Sequence, residues 1–313
     1  MKGKDLLSVT DLNREEIHIL LSDAVDMKHD KWLSVLDRKT LALVFEKPSL
    51  RTRVSFEMAM RQLGGYTIYL SPAEVGLGKR EPPRDVASVI CRYVDVIAAR
   101  TFSHDTLEEL AKYCDIPVIN ALDDMEHPCQ ALADLLTIYE KKGELKGLKV
   151  AYIGDGNNVA NSLMLACTMM GVNFNIASPQ GYNIPDGILE TAKGYAADNG
   201  AEILCTANPS EAADGADVVY TDVWTSMGQE EESAKRRQIF ADYQVTADIL
   251  NQAKEDVIFM HPLPAHHGEE VTDEVLYSFH SVVFDQAENR LYAQKALLAE
   301  MLGGLDLLLR RHK

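Results

Sequence analysis

Short apolar runs alternate with helical patterns along nearly the whole of this sequence, and that alternation restricts the fold more than any other feature. The runs fall at 41–45, 66–70, 94–99 and 117–120, then at 149–153, 173–177, 202–206, 217–221, 257–260 and 282–284. Helical periodicity fills 51–63, 105–114, 127–141, 158–170 and 186–198 between them. Strands alternating with helices imply βαβ units and parallel sheets covered on both faces. Ten strands are many for one open sheet. The fold class predicted is therefore α/β, with two doubly wound parallel-sheet domains. A chain of 313 residues is long enough to give each domain its own core. The polar stretch 140–147 is the natural division, giving domains over 1–145 and 146–289. The final segment, 290–313, reads as an amphipathic helix that packs back on the first domain.

Charge and composition remove several function classes. The net charge of −17 repels nucleic acid and acidic membrane surfaces, so neither is expected as a partner. It also makes any cluster of arginines informative, since a cationic pocket must be built against the overall field. The start turns polar at once, and no window approaches the run of about 20 apolar residues of a membrane helix. A cytoplasmic protein is expected. Five scattered cysteines with no C-x-x-C pair fit buried, reduced thiols. No histidine has metal-ligand spacing, so neither a metal nor another cofactor is expected.

Several motifs stand where strands end. Phe45-Glu-Lys-Pro-Ser49-Leu-Arg51-Thr52-Arg53 joins a strand to a helix start, where free backbone N–H groups and the helix dipole favour an anion. Ser49 and Thr52 add hydroxyls; Arg51 and Arg53 add planar forks suited to phosphate oxygens. Arg100 closes another strand of the same expected sheet. His127-Pro128-Cys129-Gln130 opens a helix, with Pro at a favoured first-turn position and His127 and Gln130 on one face. A histidine there can donate to a carbonyl oxygen that gains charge in acyl transfer, and a glutamine carbonyl can accept from an amide NH₂.

The turn Gly154-Asp-Gly156-Asn157-Asn158-Val159 invites a dinucleotide reading and fails it. Val159 stands where a small third residue is required, and Ala177-Ser178-Pro179 stands where an acidic residue is required. Two asparagines suit a turn that hydrogen-bonds a zwitterion. Asp222, at a strand end, can bind an ammonium, and Ser226 with the backbone of Met227 can take an amino or carboxylate group. His261-Pro262-Leu263-Pro264 forms a rigid loop after another strand, and Arg290 begins the final helix.

Taken in order and at their spacing, S-x-R-T-R, H-P-x-Q, D-G-N-N and D-V-W-x-S-M-G make the chain resemble the aspartate/ornithine carbamoyltransferase family over its whole length, the ornithine branch most closely. The resemblance implies two α/β domains with the active site in the cleft between them. It also implies transfer of a carbamoyl group from carbamoyl phosphate to the δ-amine of L-ornithine, giving citrulline and phosphate. Ser49, Arg51, Thr52, Arg53, Arg100, His127 and Gln130 would bind carbamoyl phosphate, with Leu263 and Arg290 closing the site. Asn158, Asp222, Ser226 and Met227 would bind ornithine, and Arg51, Arg100 and His127 would be catalytic. The family usually assembles as trimers or multiples of trimers, so a homo-oligomer is implied.

Two departures from the pattern are present. Ornithine enzymes usually read H-C-L-P where this chain has Pro262, a form that aspartate enzymes carry. The loop 74–83 has Gly76 where many relatives place a Gln reaching a neighbouring subunit, leaving Lys79 or Arg80 as substitutes. The alternatives are a carbamoyltransferase for putrescine or aspartate, and a non-catalytic Rossmann-type nucleotide-binding protein.

Overall fold

The computed structural model describes residues 1–78, 80–225 and 230–304. The chain divides into two compact units, the first comprising Met1–Leu136 with the chain from Glu288 onward and the second Thr137–Ala287. The polar stretch 140–147 falls just inside the second.

In the first unit four parallel strands form one sheet: β1 (Thr40–Phe45), β2 (Tyr66–Leu70), β3 (Val96–Arg100) and β4 (Val118–Leu122), in the order β2-β1-β3-β4. β1 and β3 lie inside the sheet and are buried almost throughout, which is why their sequences are unbroken apolar runs. The strand order reverses between them. An open parallel sheet has its ligand crevice at such a reversal, beyond the carboxyl ends of the strands. The register pairs Phe45 with Arg100 there, so the chain leaving β1 and the chain leaving β3 start side by side. Glu46 N donates to Arg100 O (2.8 Å), and the Glu46 carboxylate accepts from Phe102 N (2.8 Å), fixing both exits. A register shift between Ala99 and Arg100 against β4 re-aims the end of β3.

The C-terminal helix, Val283–Met301, starts earlier than the sequence suggests. The run at 282–284 is not a strand; Ser281 makes only an isolated bridge to Phe259, and the helix begins at Val283. Buried Tyr292, Leu297 and Leu298 bind its later turns to the first unit. Lys295, also buried, donates to the carbonyls of Lys31 (2.9 Å) and Asp30 (3.2 Å), just past the C-terminus of helix Arg14–His29. A cation is favourable at that end of a helix dipole.

The second unit holds five parallel strands: β5 (Lys149–Ile153), β6 (Asn173–Ala177), β7 (Ile203–Thr206), β8 (Val218–Tyr220) and β9 (Ile258–Met260), ordered β7-β6-β5-β8-β9. Here the order reverses between β5 and β8, whose ends lead to the 154–157 turn and to Asp222. Helix Asn158–Met169 is buried over nearly its whole length. Gly156 is required for packing. A Cβ there would meet the backbone of Asn183 at 2.4 Å.

No described helix is long and apolar enough to cross a membrane. All five cysteines are free. Cys129 and Cys167 are buried as expected, Cys91 and Cys114 are half-buried, and Cys205 is exposed, contrary to expectation.

Candidate active site

Beyond β1, Ser49 is extended (φ −154°, ψ 116°) and caps helix Leu50–Gln62 by accepting from Thr52 N (3.3 Å). Thr52 is fully buried, and its hydroxyl accepts from Arg290 Nη2 at 2.7 Å, joining residues 238 apart in sequence. Arg100, only 5% exposed, lies at the end of β3. Burial, then the charges of Arg290 and Arg51, push its guanidinium down to about 10. Burial also lowers Arg51. His127 feels the same field: desolvation, Arg290 and Arg100 hold it well below the usual histidine range, so its imidazole is neutral at physiological pH.

Arg100 is repelled by Arg290 and Arg51, and neither Arg51 nor Arg100 has a carboxylate among the groups that shift it, so this cluster favours an anion. Arg100 Nε is buried with no hydrogen-bond partner, a cost a ligand oxygen would remove. Gln130 donates its NH₂ to Asp134 (2.8 Å), which fixes the amide and leaves Oε1 buried and uncommitted. Arg53 is not part of this group. It is exposed, pairs with Glu57 at 2.8 Å and stacks on Tyr69 with 3.9 Å to the ring centre.

One residue the sequence reading missed braces this cluster. His104 Nδ1 meets the buried Asp123 carboxylate at 2.6 Å, and Asp123 also accepts from Asn120 Nδ2 and from the N–H groups of Met125 and Glu126. That carboxylate is the hub of the turn leading into His127. Its hydrogen bond raises His104 to about 8.

In the second unit Asp222 is 8% exposed. Burial raises its carboxyl, while Asn157 Nδ2 (2.8 Å) and Val223 N (2.8 Å) donate to it and oppose that shift. Asn157, one of the two asparagines that the sequence offers to a zwitterion, does two jobs within the protein. Its Oδ1 accepts from Val159 N (3.0 Å) and Ala160 N (3.1 Å), capping helix Asn158–Met169, while its Nδ2 holds Asp222. The cap occupies the N–H groups that a dinucleotide pyrophosphate would need. Asn158 is the first residue of that helix and half-buried. Ser226, Met227 and Lys79 lie outside the described residues.

Arg236 was missed too. Its Nη1 donates to Asp155 (2.6 Å) and to Trp224 O (2.9 Å), tying the glycine turn to the chain after Asp222. Leu263 lies in the second unit, in the left-handed region (φ 58°), with its N–H donating to His261 Nδ1 at 2.9 Å. His261 therefore carries its proton on Nε2, facing Glu270 at 3.1 Å.

Sequence models of two domains match the chain. The carbamoyl-P binding domain of aspartate/ornithine carbamoyltransferase matches residues 4–140, and the Asp/Orn binding domain of the same enzymes matches 146–301. The chain belongs to the aspartate/ornithine carbamoyltransferase family. It is 55% identical to the ornithine carbamoyltransferase of Bacillus subtilis, covering 96% of this chain and 94% of that one. Among solved structures, it is similar to the ornithine carbamoyltransferase from Pyrococcus furiosus, with a TM-score of 0.94 and 51% identity over 97% of this chain and 98% of the other. The ornithine carbamoyltransferase from Gloeobacter violaceus gives 0.88 and 48% over 96% and 100%. Within the carbamoyltransferase family, the matched carbamoyl-P domain contains Arg51 and Arg100, and the matched Asp/Orn domain contains Asp222 and Arg290.

Proposed function

We infer that this enzyme transfers the carbamoyl group of carbamoyl phosphate to the δ-amine of L-ornithine, releasing citrulline and phosphate. The observation that carries the reading is the pair of buried arginines Arg100 and Arg290 acting on a neutral His127, with half-buried Arg51 acting on Arg100 and with Gln130 Oε1 buried and uncommitted.

Each ligand atom finds a counterpart. The helix start at Ser49–Thr52, with Arg51, Arg100 and Arg290, would take the phosphate. A neutral His127 can donate an N–H to the carbamoyl oxygen, and Gln130 Oε1 can accept from the carbamoyl NH₂. Attack by the neutral amine forms a new C–N bond and puts negative charge on that oxygen, where Arg100 and His127 stabilise it. Collapse breaks the C–O bond to phosphate. A phosphate oxygen then takes the proton from the new nitrogen, so no covalent intermediate or metal is needed. Free ornithine has a δ-ammonium near the lysine value of about 10.4, so binding must favour the neutral amine.

Asp222, aided by Asn158, Ser226, Met227 and the Leu263 carbonyl, would hold ornithine. The surroundings of Asp222 argue against aspartate as acceptor. Asn157, His261 and Glu270 lie around it, and Glu270 raises its carboxyl further. A second substrate carboxylate would meet acid there rather than a cation. By the same reading the enzyme works in the cytoplasm as a trimer or a multiple of trimers.

The test is direct. With carbamoyl phosphate and L-ornithine, the protein should form citrulline and phosphate in equal amounts. Phosphate release without citrulline, or NAD binding without either, would refute the assignment.

A further inference from the structure

Cys91 and Cys114 are far apart in sequence and serve neither substrate site. Cys91 is the C-cap of helix Pro83–Ile90, and Cys114 lies just beyond helix His104–Lys112, against which that helix packs. Their thiols are interlocked with each other's backbone. Cys91 Sγ lies 4.0 Å from Tyr113 O, the carbonyl that precedes Cys114. Cys114 Sγ lies 3.6 Å from Ala87 O, which also accepts from Cys91 N at 3.0 Å. Each thiol thus lies against the backbone of the segment that carries the other. Both residues are half-buried, so a small oxidant can reach them while bulk thiols are hindered.

From this crossed arrangement we propose that Cys91 and Cys114 form a reversible disulfide in the folded protein, making the pair an oxidation site in the carbamoyl phosphate unit. Thiols crossed in this way on two packed helix ends need little backbone movement to bond. The oxidant would be hydrogen peroxide or a small disulfide. With peroxide, a Cys91 thiolate attacks one oxygen; the O–O bond breaks, leaving a sulfenic acid and hydroxide. The Cys114 sulfur then attacks the sulfenic sulfur, forming S–S and breaking S–O. Its proton and that of the first thiol leave in the two waters formed, so two thiols and one peroxide give one disulfide and two waters. Burial and the neighbouring Cys91 push the Cys114 thiol up to about 12, so Cys114 reacts second, as the hydroxide is released. The loop so closed contains β3 and therefore Arg100. Closing it restricts the unfolded chain and stabilises the folded one.

The experiment treats the intact folded protein with graded hydrogen peroxide, alkylates the remaining thiols and maps peptides by mass spectrometry. The expected result is a peptide pair joined through Cys91 and Cys114, short of two hydrogens, restored by dithiothreitol. The melting temperature should rise by several degrees on oxidation, and Cys91→Ser and Cys114→Ser should each abolish both effects. The exposed Cys205 reports that oxidant reached the protein. Oxidation of Cys205 with Cys91 and Cys114 alkylated separately would overturn the proposal. So would a cross-link that forms only in denaturant, or one that lowers the melting temperature.

Discussion

Replacing Arg100 by Met should make the free enzyme more stable and nearly unable to bind carbamoyl phosphate. The magnitude follows from the site. Arg100 is held down from the usual 12.5 to about 10 by burial, Arg290 and Arg51. Each pKa unit corresponds to about 1.4 kcal/mol, so keeping the charge among these groups costs about 3 kcal/mol. The sign is clear: folding disfavours the charged form, so removing the charge stabilises the fold at neutral pH. Met keeps the length and apolar stem of the side chain, and no hydrogen bond to Nε is lost because none exists. Allowing for imperfect packing, a net gain of about 1–2 kcal/mol is expected. For units of this size that raises the melting temperature by about 2–4 °C per kcal/mol. Carbamoyl phosphate loses charge-assisted hydrogen bonds worth about 1.5–3 kcal/mol, weakening binding by tenfold to more than a hundredfold. Thermal denaturation with and without carbamoyl phosphate measures both at once. A variant less stable than its parent, or one still stabilised by carbamoyl phosphate to the same degree, would refute the picture of a strained, anion-seeking cluster.

Two further outcomes follow from the braces around the site. His104 is raised to about 8 by Asp123, above its usual 6.5, so its contribution is full below about pH 6.5 and is lost as pH rises through 8. The unfolding free energy of His104→Asn, measured in urea, should fall below the parent's at pH 6, by about 1 kcal/mol after solvent screening, and match it at pH 9.5; an equal deficit at both would exclude the linkage. Asn157→Ala should cost about 1 kcal/mol of stability through the lost helix cap and raise the KM for ornithine, leaving carbamoyl phosphate affinity unchanged. Unchanged ornithine kinetics in that variant would separate Asn157 from the acceptor site.

The strands were legible because parallel strands buried on both faces keep their apolar residues contiguous, as in Leu41-Ala-Leu-Val-Phe45. The same rule misread 282–284. Val282-Val283-Phe284 is a short apolar run, and such runs do not distinguish a strand from the start of a helix. Strand-end arginines and the helix opening at His127 were readable as anion-site candidates. Their grouping was not, because it depends on sheet order and on a helix returning from residue 290 to Thr52. The hold of Asn157 on Asp222, and the whole role of Arg236, escaped for the same reason: the partners Asp222 and Asp155 lie 65 and 81 residues away. His104 carried no motif, and only the turn around Asp123 gives it a role. Arg53 shows the reverse case, a motif residue that the helix turns toward Glu57 and Tyr69.

The central claim is that Asp222 and its surroundings select ornithine although Pro262 stands where ornithine enzymes usually carry Cys. The measurement that tests it most directly is kcat/KM for L-ornithine, putrescine and L-aspartate under saturating carbamoyl phosphate. A preference for ornithine of at least about a hundredfold is expected, because putrescine lacks the carboxylate and aspartate brings a second one beside Asp222 and Glu270. Aspartate or putrescine turning over as well as ornithine would contradict the account.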